Sequence, residues 1–115
     1  MWDYRAKLKR IVDGDTLEVI IDVGFHGTQT EQLRLLGVNT PEMKGASREA
    51  GLKAKQFTHE WLIQAGQSPS EWPLIVNTEK DDVFGRYLAT VYRTADFVSL
   101  NQALLNSGNA VKDIR

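Results

Sequence analysis

Residues 4–23 read YRAKLKRIVDGDTLEVIIDV, and the way this stretch divides decides the fold. Residues 4–12 and 16–23 are rich in β-branched and apolar side chains, while Asp13-Gly14-Asp15 between them is turn chemistry, so the stretch predicts strand, tight connection, strand. Working outward, Gly24-Phe25-His26-Gly27 offers positions tolerant of positive φ, and residues 29–36 then form a third strand folded back on the second. Ala50, Ala54, Phe57, Trp61 and Ala65 recur at helical spacing with polar residues on the other faces, which predicts an amphipathic helix over about residues 48–65 with Gly66 as its stop. Residues 73–78 and 87–92 supply a fourth and a fifth strand around a turn at 81–85. Ser99 with Gln102 is a capping-box pattern, Leu100, Leu104 and Leu105 form an apolar stripe, and Gly108 closes a second helix.

Five short strands, one helix between the third and fourth and a second helix after the fifth, match the order of an OB-fold barrel, a mainly β fold with helices. At 115 residues and 42% hydrophobic the chain is sized for a single domain over residues 1–115. No internal repeat or linker-like tract divides it. The absence of cysteine excludes disulfides, thiolate zinc sites and cysteine nucleophiles, so any metal is held by oxygen or histidine. No basic stretch leading into an apolar run follows Met1 and no apolar run approaches membrane-spanning length, so no export signal, no membrane partner and a cytoplasmic or otherwise intracellular location are expected.

A formal net charge of -1 argues against affinity gained by covering many phosphates with cations. The basic residues are nevertheless clustered, Arg5, Lys7, Lys9 and Arg10 in one group and Lys44, Arg48, Lys53 and Lys55 in another. A solvated face is the plainer reading of both groups, a phosphate track the sharper one.

Chemistry-bearing residues concentrate in Asp13-Gly14-Asp15-Thr16, in residues 34–42 (RLLGVNTPE) and in Gly85-Arg86. Each alone reads as a turn, an ion-paired strand end or a loop opening. Neither His26 nor His59 lies in these segments, and both are expected at the surface or its boundary. No serine, histidine and acid arrangement and no glycine-rich phosphate loop occurs.

In this order and strand layout the three segments resemble the staphylococcal nuclease family, over roughly residues 8–111. The apolar frame agrees too, through Leu35, Leu36 and Val38, Phe57, Leu88-Ala89, and the run from Asn101 to Gly108. The resemblance implies a calcium-dependent nuclease that hydrolyses phosphodiester bonds of DNA or RNA, with one calcium ion or another hard divalent ion. Asp15 would give that ion a carboxylate, Asn39 a side-chain oxygen and Thr40 its backbone carbonyl, with Asp13 orienting bound water behind them. Arg34 and Arg86 would clamp the scissile phosphate as planar forks. Glu42 would position or deprotonate the attacking water, and Phe84 would stack on a nucleotide base.

Four features depart from the family pattern. Asn39 stands where active members usually carry aspartate, so three carboxylates face two arginines and the site keeps one negative charge, where aspartate would double it. At an effective dielectric of ~20, two unit charges ~4 Å apart interact by roughly 4 kcal/mol before desolvation, so the loss weakens calcium binding without abolishing it. Phe84 replaces a tyrosine and Val83 a lysine. Arg115 follows soon after the second helix, so the family's terminal helix and the tyrosines before it are expected to be missing, lost or supplied by another subunit of a homo-oligomer. Three classes follow. The first is an active nuclease, resting on Arg34, Glu42 and Arg86 together. The second is a catalytically degenerate relative that binds nucleic acid or a protein without cutting. The third is a plain OB-fold oligonucleotide module, which would want exposed aromatics with interleaved lysines along its strands.

Overall fold

A computed structural model describes residues 2–81 and 86–113. Five strands close a barrel in the order β1 (Trp2–Asp13), β2 (Thr16–Gly24), β3 (Gly27–Leu35), β6 (Tyr87–Arg93) and β5 (Leu74–Asp81). Helix α1 (Arg48–Gly66) lies between the third and fourth barrel strands, and α2 (Leu100–Asn106) follows the fifth. This is the α+β, OB-like barrel that the strand order predicts.

Alternation along β2 is the local cause of the barrel: Leu17, Val19 and Ile21 point inward and are buried, while Glu18, Ile20 and Asp22 are only partly covered. Ala6, Leu33, Leu35, Leu74, Val76, Ala89 and Val91 complete the interior, and Trp61, Leu62 and Ala65 of α1 close one end of it. Each fully buried leucine contributes roughly 1.5–3 kcal/mol of transfer free energy.

Pairing is antiparallel around the barrel except where β3 meets β6, whose parallel register sets Arg34 opposite Leu88. Strand β1 carries two bulges, between Leu8 and Arg10 and between Ile11 and Asp13, which sharpen its twist as it reaches the rim. Two further short strands, β4 (Val38–Asn39) and β7 (Val111–Lys112), pair antiparallel beside the barrel. Two residues are too few to show a period, so nothing in the sequence marks them.

The apolar stripe of α1 differs by one position from its expected course. Ala50 is exposed, and the buried face begins with Gly51 and continues through Ala54, Thr58, Trp61, Leu62 and Ala65. At α2, the Ser99 hydroxyl accepts the Gln102 N–H at 3.0 Å as the capping pattern requires, while the Gln102 side chain donates forward to Asn106. Gly108, at φ 78°, lies in the left-handed region and ends the helix. Among the described residues no helix is long and apolar enough to cross a membrane.

Candidate active site

The β1–β2 turn brings Asp13, Gly14 and Asp15 to the barrel rim, where α1 passes directly beneath them. A Cβ on Gly14 would lie 3.0 Å from the Thr40 methyl and 3.1 Å from the Ala54 backbone, so glycine is what allows the turn to sit on the helix. The Gly14 carbonyl accepts a 2.7 Å hydrogen bond from the hydroxyl of the buried Thr58. The Asp15 carbonyl accepts the Leu35 N–H at 2.9 Å, which ties the turn to β3 as well.

Asp15 is 6% exposed and its carboxylate is well partnered. Oδ2 accepts the Thr40 N–H at 3.0 Å and stands 3.3 Å from Arg34 Nη2, and Oδ1 accepts the Thr16 hydroxyl at 3.2 Å. Arg34 is the penultimate residue of β3, opposite Thr16, and is 5% exposed. Its Nη1 donates to the carbonyls of Leu35 (2.9 Å) and Val38 (2.7 Å), so one arm of the fork is fixed by backbone. The other arm, Nη2, faces Asp15, Asn39 Oδ1 at 3.3 Å and Asp113 Oδ2 at 3.8 Å.

Arg86 directly precedes β6, so the parallel β3–β6 seam sets it beside the same rim, with Nη1 3.5 Å from the Thr16 hydroxyl. Asn39 lies on β4 with its side chain exposed, and Thr40, 8% exposed, follows it. Glu42 is exposed in the loop entering α1, and its carbonyl accepts the Ser47 hydroxyl at 2.8 Å. A Cβ on Gly51 would come within 2.5 Å of that same carbonyl oxygen, so helix and loop touch backbone to backbone.

Asp13, Asp15, Arg34, Asn39, Thr40, Glu42 and Arg86 all line one open cleft of about 430 Å³, together with Thr16 and Lys44. The cleft therefore gathers the catalytic and metal residues expected from the sequence. Phe84 and Val83, expected near a base, lie outside the described residues, and His26 and His59 are exposed on other parts of the surface.

The Asp13 carboxyl titrates above its ordinary value, raised first by burial and then by the charge of Asp15, against the opposing cations Lys55, Arg86 and Arg34. Negative charge is thus crowded at this rim, the condition that a bound cation relieves. The candidate donors, the Asp15 carboxylate, the Asn39 amide oxygen and the Thr40 carbonyl, are all hard oxygens and fit calcium or a similar divalent ion. Among the described residues no three His, Cys, Asp or Glu side chains cluster to hold a metal, so such an ion would rely on amide and backbone oxygens beside a single buried carboxylate.

Several positioning residues carry no obvious sequence signal. Gly51 and Thr58 look like ordinary members of a helix. Asn101 is buried in α2, where its amide donates to the Leu36 and Ala89 carbonyls (2.9 and 3.1 Å) and accepts the Val91 N–H (3.1 Å), fixing the chain that leaves β3. In the sequence it stands out only as the polar start of the run from Asn101 to Gly108 that agrees with the family frame. Asp113 follows β7, and its N–H donates to the Gly37 carbonyl at 3.0 Å.

The sequence profile of the staphylococcal nuclease homologue family matches residues 32–114 of this chain. The chain belongs to that family. It is also similar to an uncharacterized protein of Methanocaldococcus jannaschii, 28% identical with 93% of this chain and 58% of the relative covered. Protein ParB of Escherichia coli is 26% identical, with 94% of this chain and 56% of the relative covered. The chain thus spans little more than half the length of these two relatives. Within the staphylococcal nuclease homologue family, a family of nuclease-type and nucleic-acid-binding domains, the matched segment contains Arg34, Asn39, Thr40, Glu42 and Arg86. The Asp13–Asp15 turn lies ahead of that segment and joins the same cleft through the fold.

Proposed function

We propose that this domain is a metal-dependent phosphodiesterase that hydrolyses DNA or RNA at the rim cleft. The observation that carries the reading is the convergence of two arginines, an exposed glutamate and a set of hard oxygen donors on one open, solvent-accessible cleft. Asp15, Asn39 and Thr40 would hold the ion, with Asp13 behind them. A hard divalent ion bound there supplies charge neutralisation at the phosphate and a more acidic water.

Arg34 and Arg86 act on the phosphate. Arg86 and the Nη2 arm of Arg34 would stabilise the charge that accumulates as phosphorus becomes five-coordinate, and Arg34 is held in place by Leu35, Val38, Asn39 and Asp15 before substrate arrives. Glu42 takes the proton of the attacking water as the new P–O bond forms and the ester P–O bond breaks. Lys44 offers a further cation to the same polyanion.

One observation favours a second reading, a family member that holds nucleic acid without cutting it. Arg34 is nearly buried, and its donors already have protein acceptors in Leu35, Val38, Asn39 and Asp15. Digestion of single-stranded DNA and of RNA with calcium, with other divalent ions and with chelator separates the two. Products that need a divalent ion are the expected result. Retarded but uncut strands under every condition would establish the binder.

A further inference from the structure

The two basic clusters of the sequence have different fates in the fold. Arg5 pairs with Asp22, Lys7 lies over the Trp72 ring, and Lys44 lines the cleft. Lys9, Arg10 and Lys55 instead line a second open groove of about 570 Å³ between β1 and α1. The bulge between Leu8 and Arg10 creates this arrangement. It inserts Lys9 as an extra residue opposite β2, so that two successive side chains, which would alternate in a regular strand, both reach Glu18. Lys9 Nζ is 3.4 Å and Arg10 Nη2 3.5 Å from its carboxylate, so two cations share one anion. Lys55 and His59, one helical turn apart on α1, stand across the groove, and Leu8, Ile11 and Leu52 give it an apolar lining.

The groove leads to the catalytic rim. Ile11, which lines the groove, is two residues from Asp13, the last residue of β1, which lines the cleft. Cations beside an apolar lining match an unpaired strand, whose phosphates seek charge and whose sugars and unstacked bases seek apolar contact. A duplex keeps its bases stacked inside and would leave the apolar part without use.

We propose that this groove is the track for a single-stranded nucleic-acid chain flanking the scissile phosphate, with Lys9, Arg10 and Lys55 on successive phosphates. The proposal rests on the reading that the rim cleft takes a phosphodiester.

The test is binding of fluorescently labelled oligonucleotides by anisotropy, in chelator so that nothing is cut, from a dinucleotide up to a dodecamer. The combined Lys9→Ala and Arg10→Ala variant should weaken dodecamer binding about tenfold and flatten its salt dependence by roughly 1.4 in log–log slope, at ~0.7 per lost phosphate contact. The dinucleotide should lose much less. Glu18→Gln, which releases both cations from their shared carboxylate, should tighten the dodecamer, and circular dichroism checks that each variant is folded. Unchanged dodecamer affinity and salt slope in the double variant, while Arg86→Ala still weakens every length, would overturn the track and leave the cleft reading standing. A parent protein that binds no oligonucleotide of any length, and cuts none with calcium or another divalent ion, overturns both. Equal response to duplex DNA, or to polyglutamate at the same salt, would show an unspecialised cationic patch in place of the track.

Discussion

The α-carbon of Gly51 and the carbonyl of Glu42 approach so closely that a methyl group on the glycine would stand 2.5 Å from the oxygen. The proposed base of the reaction is therefore positioned by the backbone of a helix whose own residues never enter the cleft. Gly51→Ala must push the Glu42 loop outward, because its neighbours there are backbone atoms that cannot rotate away. Overpacking of this kind costs about 1–3 kcal/mol, and displacing a reacting group by about 1 Å costs on the order of a hundredfold in rate. Thermal melting and single-turnover cleavage should both fall. A variant that melts lower but cuts normally would show that Glu42 does not need this support.

The two arginines should separate when stability is measured beside activity. Either Arg34→Ala or Arg86→Ala should lower the rate by on the order of a hundredfold or more. Arg34→Ala also leaves the buried Asp15 carboxylate without its cationic partner, with only the Thr40 N–H and Thr16 hydroxyl still bonded to it, a loss of about 3–5 kcal/mol for a buried pair. Arg86 is only half-buried and its removal should scarcely move the melting temperature. Denaturant titration of both variants checks this, and equal destabilisation would mean that Arg86 too is a structural cation.

Asn39→Asp should tighten calcium binding, because it returns a ligand charge to a rim where Asp15 is the only buried carboxylate among the described residues. Calorimetry beside a nuclease assay reads the result: affinity and activity rising together support the enzyme, and affinity rising alone supports the non-cutting binder. Glu42→Gln should abolish most turnover in either background while keeping much of the metal affinity. If Asn39→Asp changes nothing, the Asn39 oxygen serves Arg34, which it already faces at 3.3 Å, and not an ion.

Asp13 gives the apo domain a defined pH response. Its folded pKa lies above the ordinary value of 3.8, so the fold favours the protonated form. The stabilisation is complete below that value and is lost as pH rises through the folded pKa. Asp13→Asn should therefore be more stable than the parent at neutral pH without metal, with the difference vanishing at low pH. Calcium should shrink the gap at neutral pH by stabilising the parent more than the variant. A parent at least as stable as Asp13→Asn at neutral pH in chelator would contradict this.

The barrel was legible because the β-branched and apolar runs over residues 4–12 and 16–23 and the Asp-Gly-Asp turn between them are local signals, set by neighbouring residues. The rim residues were legible only as a set: each segment alone reads as a turn, a strand end or a loop opening, and it is the three together, in this order, that resemble the staphylococcal nuclease family. Positions defined by what another segment does were not. Thr58 matters because Gly14, far away in the chain, needs a donor, and Gly51 because Glu42 needs room. Ala50 was misread for a related reason: alanines four apart fit the periodicity, yet the helix turns a glycine, not Ala50, toward the loop. The groove cations likewise depend on a bulge that no composition reveals.

The parallel seam between β3 and β6 joins strands nearly half the chain apart, and Arg34 stands within it, opposite Leu88, with Arg86 one residue before β6 begins. Every other strand pairing can form with the seam still open, so the two guanidinium groups meet only when the cylinder shuts. A nascent or half-unfolded chain has both arginines but no clamp. The phosphate chemistry proposed for the rim would consequently be an all-or-none property, switched on by completion of the fold and lost at the first opening of that one seam.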